Sequence, residues 1–253
     1  MTTESTSGTT LDLVREACPK IAGTGWLFYF TPIAQARAAD LGIDVFTFYF
    51  IGRGGVLGDV EWPAVHSAFG YFNPVVIKDS WERGREKVAP RDAGRAFIEC
   101  SHQFGREKLA EVEGLDALCE AMEAVNESAK LRAEGLALYA AAAAEPLADD
   151  LPARTMQLLG VLREYRGSAH LLSVVAAGLR PLEAHYIDRP EMLGLFGWSE
   201  SDIPDLGEEH KERLATADDM TDHLVAPAFE VLDESGAQAL REGLATVEAA
   251  LSS

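Results

Sequence analysis

Residues 158–178 read LLGVLREYRGSAHLLSVVAAG, and this stretch decides the fold class. Both ends are apolar almost all round, while the middle holds Arg163, Glu164, Tyr165, Arg166, Ser168 and His170. A helix that is apolar all round is a buried one. Buried charges are costly unless paired and hydrogen-bonded. The stretch therefore reads as a core helix, and its charged middle as the chain's best candidate site. Those same charges argue against insertion into a bilayer. No uncharged apolar run reaches the length of about 18 residues that marks a membrane span.

A core helix needs other helices around it, and the flanking sequence supplies them. Asp149, Asp150 and Pro152 open the central helix; Gly178 and Pro181 close it. Residues 91–110 and 114–143 are rich in good helix formers. Residues 61–81 read as one helix with Pro63 near its start and a kink at Asn73-Pro74. Residues 43–51, IDVFTFYFI, have the aromatic and β-branched content of a strand. No strand partner of similar quality occurs elsewhere, and a lone strand leaves its backbone unpaired. They are expected to form a buried helix ending at Gly52-Arg53-Gly54-Gly55. Thr31-Pro32 starts a helix that ends on Gly42, and residues 11–22 form an amphipathic helix that Pro19 ends or kinks.

After Leu179 the segments shorten. Residues 199–220 are polar and acidic, residues 221–232 are helical again, and Ser235 can cap a last helix. The expected architecture is all-α, a multi-helix bundle. A disordered tail over 1–10 precedes a helical core domain over 11–178, and a small C-terminal helical subdomain covers 179–253.

The chain has 253 residues, 47% hydrophobic and 25% charged, a composition that fits an ordinary globular protein. Its 41 acidic and 22 basic residues give a net charge of −19, which repels nucleic-acid phosphates unless a basic face is segregated. The most basic window, Trp81 to Arg95, carries acids as well. Cys18, Cys100 and Cys119 are odd in number and lack CxxC spacing, which argues against a disulfide framework or a cysteine-rich zinc site and fits a reducing cytoplasm. The polar start MTTESTSGTT has no signal-peptide pattern.

Projected at about 100° per residue, Arg163, Arg166, Gly167, His170 and Val174 fall on one stripe of the central helix, with Glu164 to one side. Two guanidiniums can anchor a carboxylate or phosphate. His170, one turn beyond Arg166, can act as acid, base or ligand donor. The alternative is that the arginines pair with acids of neighbouring helices and His170 closes a core hydrogen bond. Arg53 among its glycines matches neither GxGxxG nor a Walker loop. Phe69-Gly70-Tyr71-Phe72-Asn73-Pro74 could face a flat ligand or be plain core. Glu99 and His102 have ExxH spacing, but a di-iron bundle needs two such motifs and no second occurs; HExxH and GxSxG are missing too.

The sequence resembles a set of mainly actinobacterial, helix-turn-helix-like proteins of poorly defined function. The resemblance rests on Tyr49-Phe50-Ile51-Gly52-Arg53, on Phe69 to Pro74, on Leu162-Arg163-Glu164-Tyr165-Arg166-Gly167-Ser168-Ala169-His170, and on Gly197-Trp198-Ser199. It covers most of the chain after residue 25 and implies a C-terminal part related to a MarR-type winged helix, in degenerate form. After Ser199 the sequence departs from a reading helix and wing, with Glu200, Asp202, Asp205, Glu208, Glu209, Asp218 and Asp219 where basic donors would be needed.

These readings converge on a small-molecule-binding protein. Its interior pocket would be lined by Arg53, Phe69, Phe72, Asn73, Arg163, Arg166 and His170 and would hold a partly apolar, anionic ligand. An enzyme using His170 as general acid or base, with Glu164 orienting a neighbour, is the first alternative; a ligand-responsive, MarR-like transcription regulator is the second. No cofactor is specified, with haem ligation through His170 or His66 left open. A small molecule is the expected partner; nucleic acid and membrane are not, and a homodimer stays open.

Overall fold

The computed structural model describes residues 3–252. Twelve α-helices run along these described residues: α1 (Thr3–Thr24), α2 (Pro32–Asp40), α3 (Val45–Gly54), α4 (Trp62–Phe69), α5 (Pro74–Arg85), α6 (Pro90–Leu109), α7 (Leu115–Lys130), α8 (Ala137–Ala143), α9 (Leu151–Ala176), α10 (Pro181–Asp188), α11 (Glu208–Phe229) and α12 (Glu234–Leu251). Three short 3-10 turns join them at Gly55–Leu57, Pro190–Met192 and Glu200–Asp202. The described residues contain no strand, so the fold is all-α. Of the tail expected over 1–10, residues 1 and 2 lie outside the described residues, and α1 begins at Thr3. No helix among the described residues is long and apolar enough to cross a membrane.

The stretch quoted first lies in α9, the axis of the bundle. Asp150 caps it by accepting from the Ala153 N–H at 3.1 Å, and Pro152 sits in its first turn. Helices α1, α6, α7, α8 and α11 all pack on it. Leu158, Leu159 and Leu162 of α9 share one apolar core with Phe48, Phe50 and Ile51 of α3 and with Val225, Phe229, Leu240 and Leu244 of α11 and α12. Thus α11 and α12, assigned in sequence to the segment from 179 onward, pack into the same core as α9. A separate, smaller cluster of Val174, Leu179, Ala184 and Ala217 closes the C-terminal end of α9.

Helix α3 is buried, as residues 43–51 indicated. Asp44 holds its start, accepting from the N–H groups of Phe46 and Thr47 at 3.0 and 2.9 Å. Its end touches α6 backbone to backbone: a Cβ on Gly55 would stand 2.1 Å from the Pro90 carbonyl oxygen, so only glycine fits.

Four local expectations change. Helix α1 runs through Pro19 to Thr24. An internal proline costs about 3 kcal/mol, but Leu13, Val14, Cys18 and Ile21 are buried on either side of it, and each such side chain contributes about 1.5–3 kcal/mol. Tertiary packing wins. Residues 61–81 form two helices rather than one kinked helix, because Gly70 takes φ +72° and Asn73 starts α5 anew as its cap. Residues 114–143 likewise split into α7 and α8, with Gly135 at φ +81° between them. The cap of α12 is Asp233, accepting from Gly236 N–H at 2.8 Å, rather than Ser235.

The link from α10 to α11 is tied to the α4–α5 turn. Trp198 donates its indole N–H to the Tyr71 carbonyl at 2.8 Å, and Asn73 donates its N–H to the Phe196 carbonyl at 2.9 Å. Gly197, at φ +78°, lies so close that a Cβ would meet Val76 at 2.3 Å.

Candidate functional site

The charges of α9 separate into two clusters. In the first, Arg53 of α3 forks onto Glu164, with Nε to Oε1 at 2.8 Å and Nη2 to Oε2 at 2.7 Å. Arg163 adds a bond to Oε1 at 3.2 Å and another to the Tyr29 hydroxyl at 3.2 Å. Arg53 also donates to the Tyr49 hydroxyl at 2.9 Å and lies over the Phe69 ring, 4.3 Å from its centroid. The side chains of Arg53 and Glu164 are 13% and 8% exposed, so the pair is shielded from water. Burial would raise the Glu164 carboxyl, but Arg53 and then Arg163 outweigh it and hold the group below the usual carboxylate range. This is a closed, saturated network.

The second cluster begins less than one turn later, at Arg166, between α9, α10, α11 and the 70–73 turn. Arg166 reaches Asp222 of α11 at 3.3 Å; Asp222 also accepts from Arg15 at 3.3 Å. Thr221 donates its hydroxyl hydrogen to the Ala217 carbonyl at 2.6 Å, so its oxygen accepts from His170 Nδ1–H at 3.1 Å. Asp218 Oδ1, 3.7 Å from Nδ1, favours the proton on the same nitrogen. In the neutral ring Nε2 then carries the lone pair. Burial pushes His170 below the ordinary imidazole range; Arg166 adds to this and Asp218 opposes it. Four buried polar atoms on α9, α10 and the 70–73 turn have no hydrogen-bond partner among the described residues: Tyr71 Oη, Arg166 Nε, Ser173 Oγ and His185 Nε2. Ser173 and His185 are 0% and 7% exposed. The Tyr71 ring lies 6.4 Å from both the His170 and the His185 rings, and His185 lies 4.0 Å from Phe196.

The structure thus divides the single pocket expected from sequence. Arg163 and Arg166 stand about 60° apart around the helix, far enough to face different neighbours. Arg53, Phe69, Arg163 and Glu164 belong to the closed network. Phe72 stacks on Phe196 at 4.1 Å, and Asn73 caps α5 through Val75 N–H at 2.9 Å; both are structural contacts. Glu164, bound on both oxygens, has no free edge with which to orient a catalytic neighbour. Only Arg166 and His170 of the expected set lie in the second cluster. Tyr71 entered the sequence reading only within the Phe69–Pro74 run and Asp218 only as one acid among many, while Ser173, His185, Thr221 and Asp222 were not site candidates there. Asp218, Thr221 and Asp222 share helical spacing that would have marked one face of α11.

Other candidates resolve into ordinary packing. His102 bonds Gln157 at 2.9 Å and Glu99 at 3.4 Å. His66 faces Trp62 within α4, at 6.5 Å between rings. No His, Cys, Asp and Glu grouping suited to a metal occurs among the described residues. Cys18, Cys100 and Cys119 are buried and free. A surface depression of about 980 Å³ runs between the starts of α7 and α12, bordered by Glu113, Asp233, Glu234 and Glu242, away from both clusters.

Two helices joined by a four-residue turn occur at α2–α3, with Gly42 at φ +72° in the turn. In a DNA reader the second helix of such a pair presents side chains to the groove. Here Thr47, Phe48, Tyr49, Phe50 and Ile51 are all buried, and the helix carries core instead. A family model, described as a helix-turn-helix family, matches residues 14–253. No curated protein and no solved structure matches the chain.

Proposed function

The chain belongs to the helix-turn-helix family, and from that premise we propose a small-molecule-binding protein whose ligand seats where α9, α10, α11 and the 70–73 turn meet. One observation carries this reading: the four unpartnered polar atoms of Tyr71, Arg166, Ser173 and His185. About nine in ten buried polar groups have a partner, and leaving one without costs about 1–3 kcal/mol. Four in one region, beside a histidine whose Nε2 has no protein partner among the described residues, support a place that another molecule completes. In this reading Arg166 and His170 contact the ligand, and the Arg53–Glu164 network holds the wall behind them.

Native mass spectrometry of the purified full chain tests the reading. Extra mass that leaves on unfolding, and that is lost in Ser173→Ala, supports it. A crystal structure in which ordered waters alone bond the four atoms sinks it.

The family match itself favours a second reading, a ligand-responsive transcription regulator. Fold membership alone carries no activity, and with α3 buried the DNA contacts would have to come from another element. Fluorescence anisotropy with duplex DNA decides it: binding that weakens steeply with salt supports a regulator, and no binding at low salt removes it.

A further inference from the structure

We propose that residues 180–206 form a strap that lifts off α9 as a unit while the bundle stays folded, and so governs access to the face of α9 that carries Arg166, His170 and Ser173. The motion does not depend on a ligand.

Attachment gives the first part of the argument. The strap holds α10 and the two 3-10 turns that follow it. Its ion pairs among the described residues, Arg180–Glu183 and Arg189–Asp188, are internal. Its hydrogen bonds to the bundle are made at the 70–73 turn. Trp198 donates its indole N–H to the Tyr71 carbonyl, and the Phe196 carbonyl accepts from Asn73 N–H. Phe196 stacks on Phe72 there, with ring centroids 4.1 Å apart. Helix α10 adds Ala184 to the small cluster of Val174, Leu179 and Ala217, which is separate from the main core. Helices α9 and α11, on either side of the strap in sequence, reach that core through Leu158, Leu162, Val225 and Phe229. Releasing one clasp therefore frees the strap without unpacking the bundle.

The ends give the second. Gly178 stands just before the strap at φ +80°, and a Cβ there would meet only Arg213 Nη1, at 3.8 Å. A backbone this unconfined can turn. Gly207 stands just after the strap, immediately before the first turn of α11.

The covered surface gives the third. Arg166, His170 and Ser173 are spaced to share one face of α9. Val174 beside them belongs to the cluster of Ala184. Tyr71 lies within reach of the charges of Asp188 and Arg189 at the end of α10, and its ring is 6.4 Å from that of His185. Closure takes water from Tyr71 Oη, Ser173 Oγ and His185 Nε2 and supplies no protein partner among the described residues. Each such atom weighs against the closed form, and opening hydrates all three. The Glu164 network on the same helix, saturated by protein donors, carries no such penalty.

The test places a reporter under the strap. Ser173 is 0% exposed, and Ser173→Cys changes one atom there. Without denaturant, an alkylating reagent should label the introduced thiol faster than Cys100 and Cys119, which are buried in α6 and α7, with the sites read by peptide mass. Adding Trp198→Phe removes the indole donor and should speed labelling at position 173 by about 5-fold, the worth of one hydrogen bond, with Cys100 and Cys119 unchanged. Labelling of all three thiols in step, or Trp198→Phe speeding all of them alike, overturns the strap. Hydrogen exchange checks it without the new thiol. The amides of α10, which the indole bond does not touch, should exchange faster in Trp198→Phe than in the unaltered chain. No change in α10 overturns the motion as a unit. The ligand reading stands or falls separately, on the dissociable mass.

Discussion

Two charged clusters lie less than one helical turn apart on α9, and they use the same residue types to different ends. Around Glu164 both carboxylate oxygens carry arginine donors, with tyrosine hydroxyls filling in behind. Around Arg166 and His170, buried polar atoms from α9, α10 and the 70–73 turn have no partner. Both are core charges, and burial alone does not separate them. Hydrogen-bond saturation does. A closed network stabilises one geometry, whereas an open one leaves valence for something that is not protein.

The sharpest way to break this contrast is Glu164→Gln, which strands Arg53 and Arg163 in a shielded place. Removing one partner of a buried pair costs about 3–5 kcal/mol, and urea unfolding should show a loss of that size. A loss under about 1 kcal/mol would mean that the network is not structural. The double variant Arg53→Met with Glu164→Leu should recover most of the stability, because replacing a buried pair by apolar side chains is often neutral.

In the open cluster the sign reverses. Ser173→Ala removes a buried hydroxyl that bonds nothing and should stabilise the ligand-free chain by up to about 1 kcal/mol. If the same measurement shows clear destabilisation, the hydroxyl has a partner and the contrast weakens.

A smaller effect separates the clusters by pH. Glu164 is held below the ordinary carboxylate value, so its contribution is complete above about pH 4.3 and is lost as the pH falls through the lower folded value. His170 and His185 are both pushed down, by burial first. The folded state then binds fewer protons than the unfolded one, so their contribution is complete above about pH 6.5 and fades as the pH falls below it. Thermal melts from pH 8 to 2 should show the histidine loss first and the glutamate loss later, below about pH 4.3. His170→Asn should shrink the first step alone.

The smallest effect is chemical. Burial pushes the Cys18 thiol up to about 12 and Cys100 to about 11, and raises Cys119. Native protein should leave a thiol reagent such as Ellman's unreacted at pH 8, and denatured protein should release three equivalents, one for each cysteine in the sequence. Fast native-state labelling of Cys18 itself, located by peptide mass, would show that α1, whose Cys18 lies beside Arg166, opens readily.

The all-α class was legible because helix periodicity and missing strand partners are local properties. Residues 43–51 could be placed as a buried helix by elimination alone. The breaks at Gly70 and Gly135 were harder, since a glycine shows its positive φ only once neighbours fix the turn. The α9 face was found, but its division was not. Whether Arg163 meets Glu164 or a ligand depends on Arg53, 110 residues earlier in the sequence. The aspartates of α11 were hidden in a run that reads as solvated surface, because composition does not show which helix they face. The family stretch Leu162 to His170 joins both clusters, and for that reason it could be recognised without being resolved.

The burial of α3 has a dynamic consequence. Its amides are enclosed by α5 and α6 and fastened to α9 through Arg53. Local fluctuations that release a surface helix cannot release this one without dismantling the core. Its amide hydrogens should exchange with solvent only at the rate of whole-chain unfolding, among the slowest in the molecule. A segment with the outline of a groove-reading helix has become the part that moves least.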